Sequence, residues 1–166
     1  MNGQTKIVYD ALSSSNIKSV LNIGFRDDSD KTIMNHCLVN KKTWTVLEIW
    51  EPNCKTMQDM AMDVICEDVR NIKNINRTFD AIIWLHGPEH ITWDQFLKCR
   101  HDIESKANKL VIYQAPIGDY PQEELYGNPY ENHVSSLTSS MFSELGYLTI
   151  DHTENGERTF SAILQK

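Results

Sequence analysis

At 166 residues, 40% apolar and 23% charged, the chain fits one domain (1–166) and is large enough to bury a core. Its net charge of −7, with Lys41-Lys42 as the longest basic run, argues against a nucleic-acid partner, because phosphate contacts need clustered Lys and Arg. No apolar run approaches the ~20 residues of a membrane span and residues 1–6 carry no secretory-type stretch, so the expected setting is cytoplasmic, with no membrane partner.

Residues 5–12 place Ile7, Val8, Ala11 and Leu12 at helical steps. Ser19-Val20-Leu21-Asn22-Ile23-Gly24 is a short apolar strand ending in glycine. A helical pattern over 29–40 then sets Ile33, Met34, Cys37 and Leu38 on one face, and a second strand over 43–49 carries Glu48 near its end. Strand, glycine turn, helix, strand and acid form the outline of a nucleotide-type βαβ unit. In such a unit the ligand sits at the first helix N-terminus and the acid receives ribose hydroxyls.

Residues 51–62 read as a helix with Pro52 in its first turn and Cys54, Met57 and Ala61 on one side. A third strand follows over 62–66. The run Phe79-Asp80-Ala81-Ile82-Ile83-Trp84-Leu85 is almost continuously apolar, the mark of a strand covered on both faces of a parallel sheet, and Trp44 and Trp84 are expected in the core. Thr92 is placed to cap a helix whose inward stripe is Trp93, Phe96, Leu97 and Ile103, and 109–115 is the fifth strand.

The ending differs. Leu137 and Thr138 introduce a short helix with Met141, Phe142 and Leu145 inward and Gly146 as its stop. Strands over 148–152 and 159–165 are joined across Asn155-Gly156, a strong hairpin signal. The predicted fold class is therefore α/β: a Rossmann-like, seven-stranded, mostly parallel sheet with a C-terminal antiparallel hairpin and helices on both faces.

Cys37, Cys54, Cys66 and Cys99 are widely spaced, without a C-x-x-C pair. That spacing argues against a disulfide framework or zinc knuckle, and Cys37 and Cys66 are read as small core residues in a reducing compartment.

Several strings in this order resemble the class I S-adenosylmethionine-dependent methyltransferases. Val20-Leu21-Asn22-Ile23-Gly24 resembles their first motif, and Leu47-Glu48-Ile49-Trp50-Glu51-Pro52 their second strand with its ribose acid. Glu67-Asp68-Val69 resembles the acidic turn that reaches the adenine, and Phe79-Asp80-Ala81-Ile82-Ile83 the fourth strand. Pro88-Glu89-His90-Ile91 resembles the "L-E-H-V" that follows it, and the hairpin matches the reversed last strand, where a dinucleotide dehydrogenase more often continues with parallel units.

The resemblance implies S-adenosylmethionine as cofactor, held by Gly24, Arg26, Glu48, Asp68 and His90, and methyl transfer to a small-molecule acceptor. Arg26 stands where a second loop glycine is usual, Asp28 at a frequent third, and Asn22 replaces the usual acid. Asp27, Asp28 and Asp30 crowd the start of the first helix after the glycine turn. There they would repel a pyrophosphate but tolerate a sulfonium and an ammonium, while Arg26 pairs with a carboxylate. The same aspartates also favour a helix N-terminus without any ligand.

His86-Gly87-Pro88-Glu89-His90 matches the zinc-protease string H-x-x-E-H, but Gly87-Pro88 after a strand forbids the helix that chemistry needs, and no metal is expected. The segment sits instead at the carboxyl end of the fourth strand, where open α/β sheets place their ligands. Asn128-Pro129-Tyr130 is similar to the N-P-P-Y of amino-methylating DNA enzymes, yet it follows the fifth strand rather than the fourth, in an acidic chain. The long polar and aromatic segment 117–133, with Tyr120, Tyr126, Tyr130, Glu131, Asn132 and His133, reads as a lid or binding loop, with an oligomer contact as the other reading. His86 and His133, with Glu89 beside them, are the candidate catalytic residues, the histidines as general bases. Trp50 either borders the adenine or only packs. The competing reading is a non-catalytic binding module that keeps the fold; both missing glycines favour it.

Overall fold

The computed structural model describes residues 3–14, 16–25 and 28–166. The elements run α1 (Gly3–Leu12), β1 (Ser19–Ile23), α2 (Asp28–Val39), β2 (Thr43–Glu48), α3 (Glu51–Asp59), β3 (Asp63–Cys66), β4 (Phe79–Leu85), α4 (Trp93–Lys106), β5 (Ala107–Pro116), α5 (Ser139–Ser143), β6 (Leu148–Glu154) and β7 (Glu157–Gln165). Three short 3-10 turns, Val69–Asn74, Pro88–His90 and Pro129–Glu131, lie outside the helical patterns read from the sequence.

The strands form one seven-stranded sheet in the order β3-β2-β1-β4-β5-β7-β6. β1 to β5 pair in parallel, and β7 enters antiparallel between β5 and β6, so the C-terminal hairpin is as predicted. The sheet reverses its order at β1 and β4, opening a crevice at their carboxyl ends.

Each face of the sheet carries its own core. On one, Phe96, Cys99 and Ile103 of α4 and Phe142 of α5 pack with Trp84, Tyr113 and Phe160. On the other, Val8 and Leu12 of α1, Ile33 and Cys37 of α2 and Met57 of α3 cover Trp44, Val46 and Ile83. Thr92 caps α4 in a full capping box with Gln95, which fixes where that helix starts. Each fully buried Leu, Ile or Phe here contributes ~1.5–3 kcal/mol.

Several local expectations are corrected. In α2 the covered residues are Ile33 and Cys37, whereas Leu38 is 49% exposed, because the helix lies flat on the sheet along a narrower stripe. In α4 Cys99 rather than Leu97 joins Phe96 and Ile103 in the core. α3 ends at Asp59, where Ala61 turns into left-handed backbone (φ 58°) to enter β3.

The cysteine reading is overturned. Cys54 and Cys66 form a disulfide, and Cys66 is exposed rather than in the core. α3 folds back beside β3, bringing together two residues separated by 12 positions; spacing rules built for C-x-x-C knuckles do not register such a pair. A disulfide is the mark of an oxidising setting, so the inference to a reducing compartment does not stand. Cys37 and Cys99 remain free and buried. Among the described residues, no helix is long and apolar enough to cross a membrane.

Candidate functional site

A cavity of about 460 Å³ opens at the carboxyl edge of β1, β2, β3 and β4. Gly24, Glu48, Asp68, His86 and His90 all line it. Gly24 continues β1 into the crevice with a positive φ of 72°, which an L side chain rarely adopts, and its N–H donates to the Leu47 carbonyl at 2.7 Å. Arg26 and Asp27, which the sequence places beside it, lie outside the described residues. Asp30 is buried and its Oδ1 accepts from Asn22 Nδ2 at 3.4 Å, so the residue replacing the usual motif acid ties α2 to β1.

Glu48 ends β2 and is only 6% exposed. Its Oε1 accepts from the Trp50 N–H at 2.8 Å, which aims the carboxylate along the cavity wall. Burial raises its pKa above the ordinary carboxylate value, against hydrogen bonds from the Trp50 and Ile49 backbone and the Asn53 side chain; the charge of Glu131 adds to the rise. Asn53, in the first turn of α3, was not singled out in the sequence, and its only signal is its place five residues after the acid.

Asp68, on the same cavity, is tied to its own chain. Its Oδ1 accepts from the Arg70 N–H at 2.8 Å, capping a 3-10 turn, and its carboxylate is gripped by the Arg70 guanidinium. Burial raises its pKa, but those bonds outweigh it and hold the group below the usual range. The Asp68 carboxylate is therefore paired, and the backbone at 68–69 and the Arg70 side chain complete that wall.

The far wall comes from the long loop: Leu125, Tyr126, Asn128, Pro129, Tyr130, Glu131 and Asn132 face the cavity. Asn128 is buried and caps the 3-10 turn through Tyr130 N–H at 3.0 Å, which gives the loop a fixed fold. Tyr126 is 97% exposed with φ 56°, at the tip.

His86 closes β4 with strained backbone (φ 50°) held by its N–H on the Gln114 carbonyl at 2.9 Å. It borders both the large cavity and a second one of about 210 Å³, lined by Gln4, Asp30, Gln114, Glu154 and Glu157 among others. His86 Nε2 lies 3.3 Å from Gln4 Oε1, so α1 reaches over the sheet edge to orient the ring, a contact no local pattern signals.

Glu89 and His133 lie behind the cavity wall rather than on it. Glu89 is 1% exposed, and its Oε1 stands 3.9 Å from both His86 Nδ1 and His133 Nε2. The His90 and His133 rings meet edge to face with centroids 4.9 Å apart, so the loop packs directly on the turn after β4. His90 is held by contacts to the Asn132 and His86 carbonyls at 3.2 and 3.1 Å, and burial lowers its pKa. His133 Nδ1 donates to the Tyr120 carbonyl at 2.6 Å. Sequence reasoning had placed Glu89 and His133 among groups meeting an acceptor; only His86 of the three reaches open space.

The sheet order and reversed β7 match known structures over nearly the whole chain. The methyltransferase domain of bacterial CtHen1-CN superposes with a TM-score of 0.71, covering 98% of this chain and 97% of that one at 15% identity. Magnesium protoporphyrin IX methyltransferase from Synechocystis PCC 6803, crystallised with bound SAH, gives 0.68 over 98% and 82% of the two chains at 11% identity. The fold is that of the class I S-adenosylmethionine-dependent methyltransferases. A SAM-dependent methyltransferase from Archaeoglobus fulgidus gives 0.67 over 98% and 94% at 14% identity. No protein-family model and no curated protein matches the sequence.

Proposed function

We propose that this methyltransferase fold binds S-adenosylmethionine in the large cavity and transfers its methyl group to a small acceptor at His86. The observation that carries the reading is the alignment of Gly24, Glu48 and the 68–70 turn along one 460 Å³ cavity at the ends of three successive strands. The volume suits one nucleoside-sized ligand. Glu48 retains a carboxylate oxygen beyond the one bonded to Trp50, enough to accept from a ribose hydroxyl.

When bound, the cofactor supplies an electrophilic methyl on a sulfonium. The chain's part is to hold donor and acceptor in line, a positioning contribution that reaches ~7–11 kcal/mol in well-oriented reactions. Glu48, Trp50 and Asn53 would fix the ribose end, and the loop 125–132 would exclude water. His86 borders both cavities, where its imidazole would take the proton from a hydroxyl or amine acceptor, with Gln4 Oε1 at 3.3 Å from Nε2 orienting the ring. The smaller cavity across His86 offers room for an acceptor of metabolite size.

The alternative is a module that binds an adenosine ligand without turnover; the Asp68 carboxylate, committed to Arg70, favours it. Calorimetric titration with S-adenosylmethionine, S-adenosylhomocysteine, NAD and ATP tests the ligand. Binding of the first two alone supports the reading; no binding of either overturns it. Release of S-adenosylhomocysteine against a panel of small hydroxyl and amine acceptors separates enzyme from module.

A further inference from the structure

The geometry points to a divalent transition-metal site formed by Glu89, His90 and His133 beneath the turn after β4. The ligand atoms of these three side chains lie within 4.8 Å of one another. Proximity alone would not carry a site, since polar side chains often cluster on a surface. This cluster is not on the surface: Glu89 is 1% exposed and the His133 side chain 7%.

His133 supplies the second observation. Its Nδ1 donates to the Tyr120 carbonyl at 2.6 Å, which orients the ring and, in the neutral imidazole, puts the lone pair on Nε2. That Nε2 is buried and has no hydrogen-bond partner, and it stands 3.9 Å from Glu89 Oε1. A hydrogen bond does not form over that distance. A lone pair and a carboxylate oxygen thus face each other inside the protein, a gap that a cation between them would fill. An imidazole whose far nitrogen donates to a backbone carbonyl is also how metal-binding histidines are held and oriented.

The spacing agrees. Two atoms each ~2.1 Å from one tetrahedral ion stand ~3.4 Å apart. The 3.9 Å gap therefore closes with a shift of a few tenths of an ångström. His90 carries the same signature. Neutral imidazole has one N–H, yet its two nitrogens face the Asn132 and His86 carbonyls at 3.2 and 3.1 Å, so one lone pair points at an oxygen. A small rotation toward Glu89 removes that repulsion and delivers a second nitrogen ligand. Two imidazoles and one carboxylate suit Zn²⁺, Fe²⁺ or Mn²⁺ over the all-oxygen preference of Mg²⁺ and Ca²⁺. His90 also lines the large cavity, so an ion it holds would border the proposed transfer site. The H-x-x-E-H string thus returns in another role: Pro88–His90 is a 3-10 turn, and the long loop supplies the second histidine.

The test is calorimetric titration of the chelator-stripped protein with Zn²⁺ alone, repeated with Mn²⁺. The expected result is one equivalent bound, with affinity at least ten-fold weaker in His133→Asn and in Glu89→Gln. The exposed His101→Ala variant serves as control and should bind like the parent. Circular dichroism identifies which variants fold, and two different ligands are substituted so that loss of one variant leaves the other informative. No stoichiometric uptake of either ion overturns the site, as does unchanged affinity in a folded ligand variant. Nitrogen NMR showing a protonated His133 Nε2 in protein that takes up no metal also overturns it, by assigning the gap to a proton. Titration with metal alone is independent of S-adenosylmethionine binding, so either proposal can fail without the other.

Discussion

Glu48 and Cys66 stand opposite one another in the parallel β2–β3 ladder, and Cys66 is disulfide-bonded to Cys54 in the first turns of α3. The covalent link therefore joins the two elements that flank the proposed ribose acid, and Cys54 Sγ lies 3.4 Å from the Glu48 carbonyl oxygen. Closing a loop of 12 residues contributes about 2–3 kcal/mol through the unfolded chain. Reduction should lower the unfolding free energy from guanidinium titration by that amount, and with it the midpoint, and the double variant Cys54→Ala/Cys66→Ala should be equally destabilised and insensitive to dithiothreitol. Parent protein with the same midpoint in both conditions would show that the bond adds nothing.

Glu48 gives a pH signature with opposite signs for stability and binding. Its folded pKa is raised, so the native state holds a proton that the unfolded chain has already released. Stability from this group is lost as pH rises from its ordinary value of 4.5 through the raised one. Binding runs the other way, because a ribose diol is best met by the ionised carboxylate, with Glu131 the charged neighbour opposing ionisation. Affinity for S-adenosylhomocysteine should fall on acidification at a higher pH than an ordinary glutamate would give. Glu48→Gln should flatten that profile and bind about 10–100-fold more weakly at pH 7, with a melting temperature no lower than the parent's.

Gly87 is required by packing rather than by its dihedral angles. A Cβ there would come 1.7 Å from Trp84 Nε1. Gly87→Ala must displace an indole that is 5% exposed and lines the large cavity, an overpacking cost of about 1–3 kcal/mol. The expected outcome is a lowered melting temperature together with changed tryptophan fluorescence. A variant with parent-like values in both would mean that the turn relaxes freely.

The loop carrying Tyr126 is built as a wall with an exposed tip. Its base is fixed by Gln122 Nε2 on the Glu131 carbonyl at 2.8 Å and by the Asn128 cap. Hydrogen exchange over 125–132 should slow at least several-fold with S-adenosylhomocysteine bound, while exchange in α4 stays constant. Equal protection with and without ligand would exclude the loop from the binding site.

Element type and the number of strands were legible because each strand is a short apolar run and each helix shows a covered stripe. The Asn155-Gly156 turn announced the reversed β7. Gly24 and Glu48 were legible as ends of strands, which is where this topology opens its crevice. The rest depended on contacts remote in sequence. Cys54 meets Cys66 only once α3 lies beside β3. Gln4 reaches His86 across 82 positions, and the Gln114 side chain holds the Gln4 carbonyl across 110. The Asp68–Arg70 grip is local, but its N-cap geometry has the same composition as any polar turn. His133 was read as a candidate base facing an acceptor; its Nδ1 on the Tyr120 carbonyl instead sets the ring toward Glu89, a contact no local pattern signals.

The place of β7 has a consequence for how the chain is made. Of the seven strands it is the last in chain order, yet it occupies an interior position, with β5 on one side and β6 on the other. Until residues 157–165 emerge, β5 has no partner on that side, and Tyr113 and Phe142 lack the Phe160 ring that packs in the same cluster. From the time β5 forms until β7 follows, an apolar strand edge is therefore exposed. Such an edge is an aggregation hazard for nascent chains and a natural point for chaperone capture.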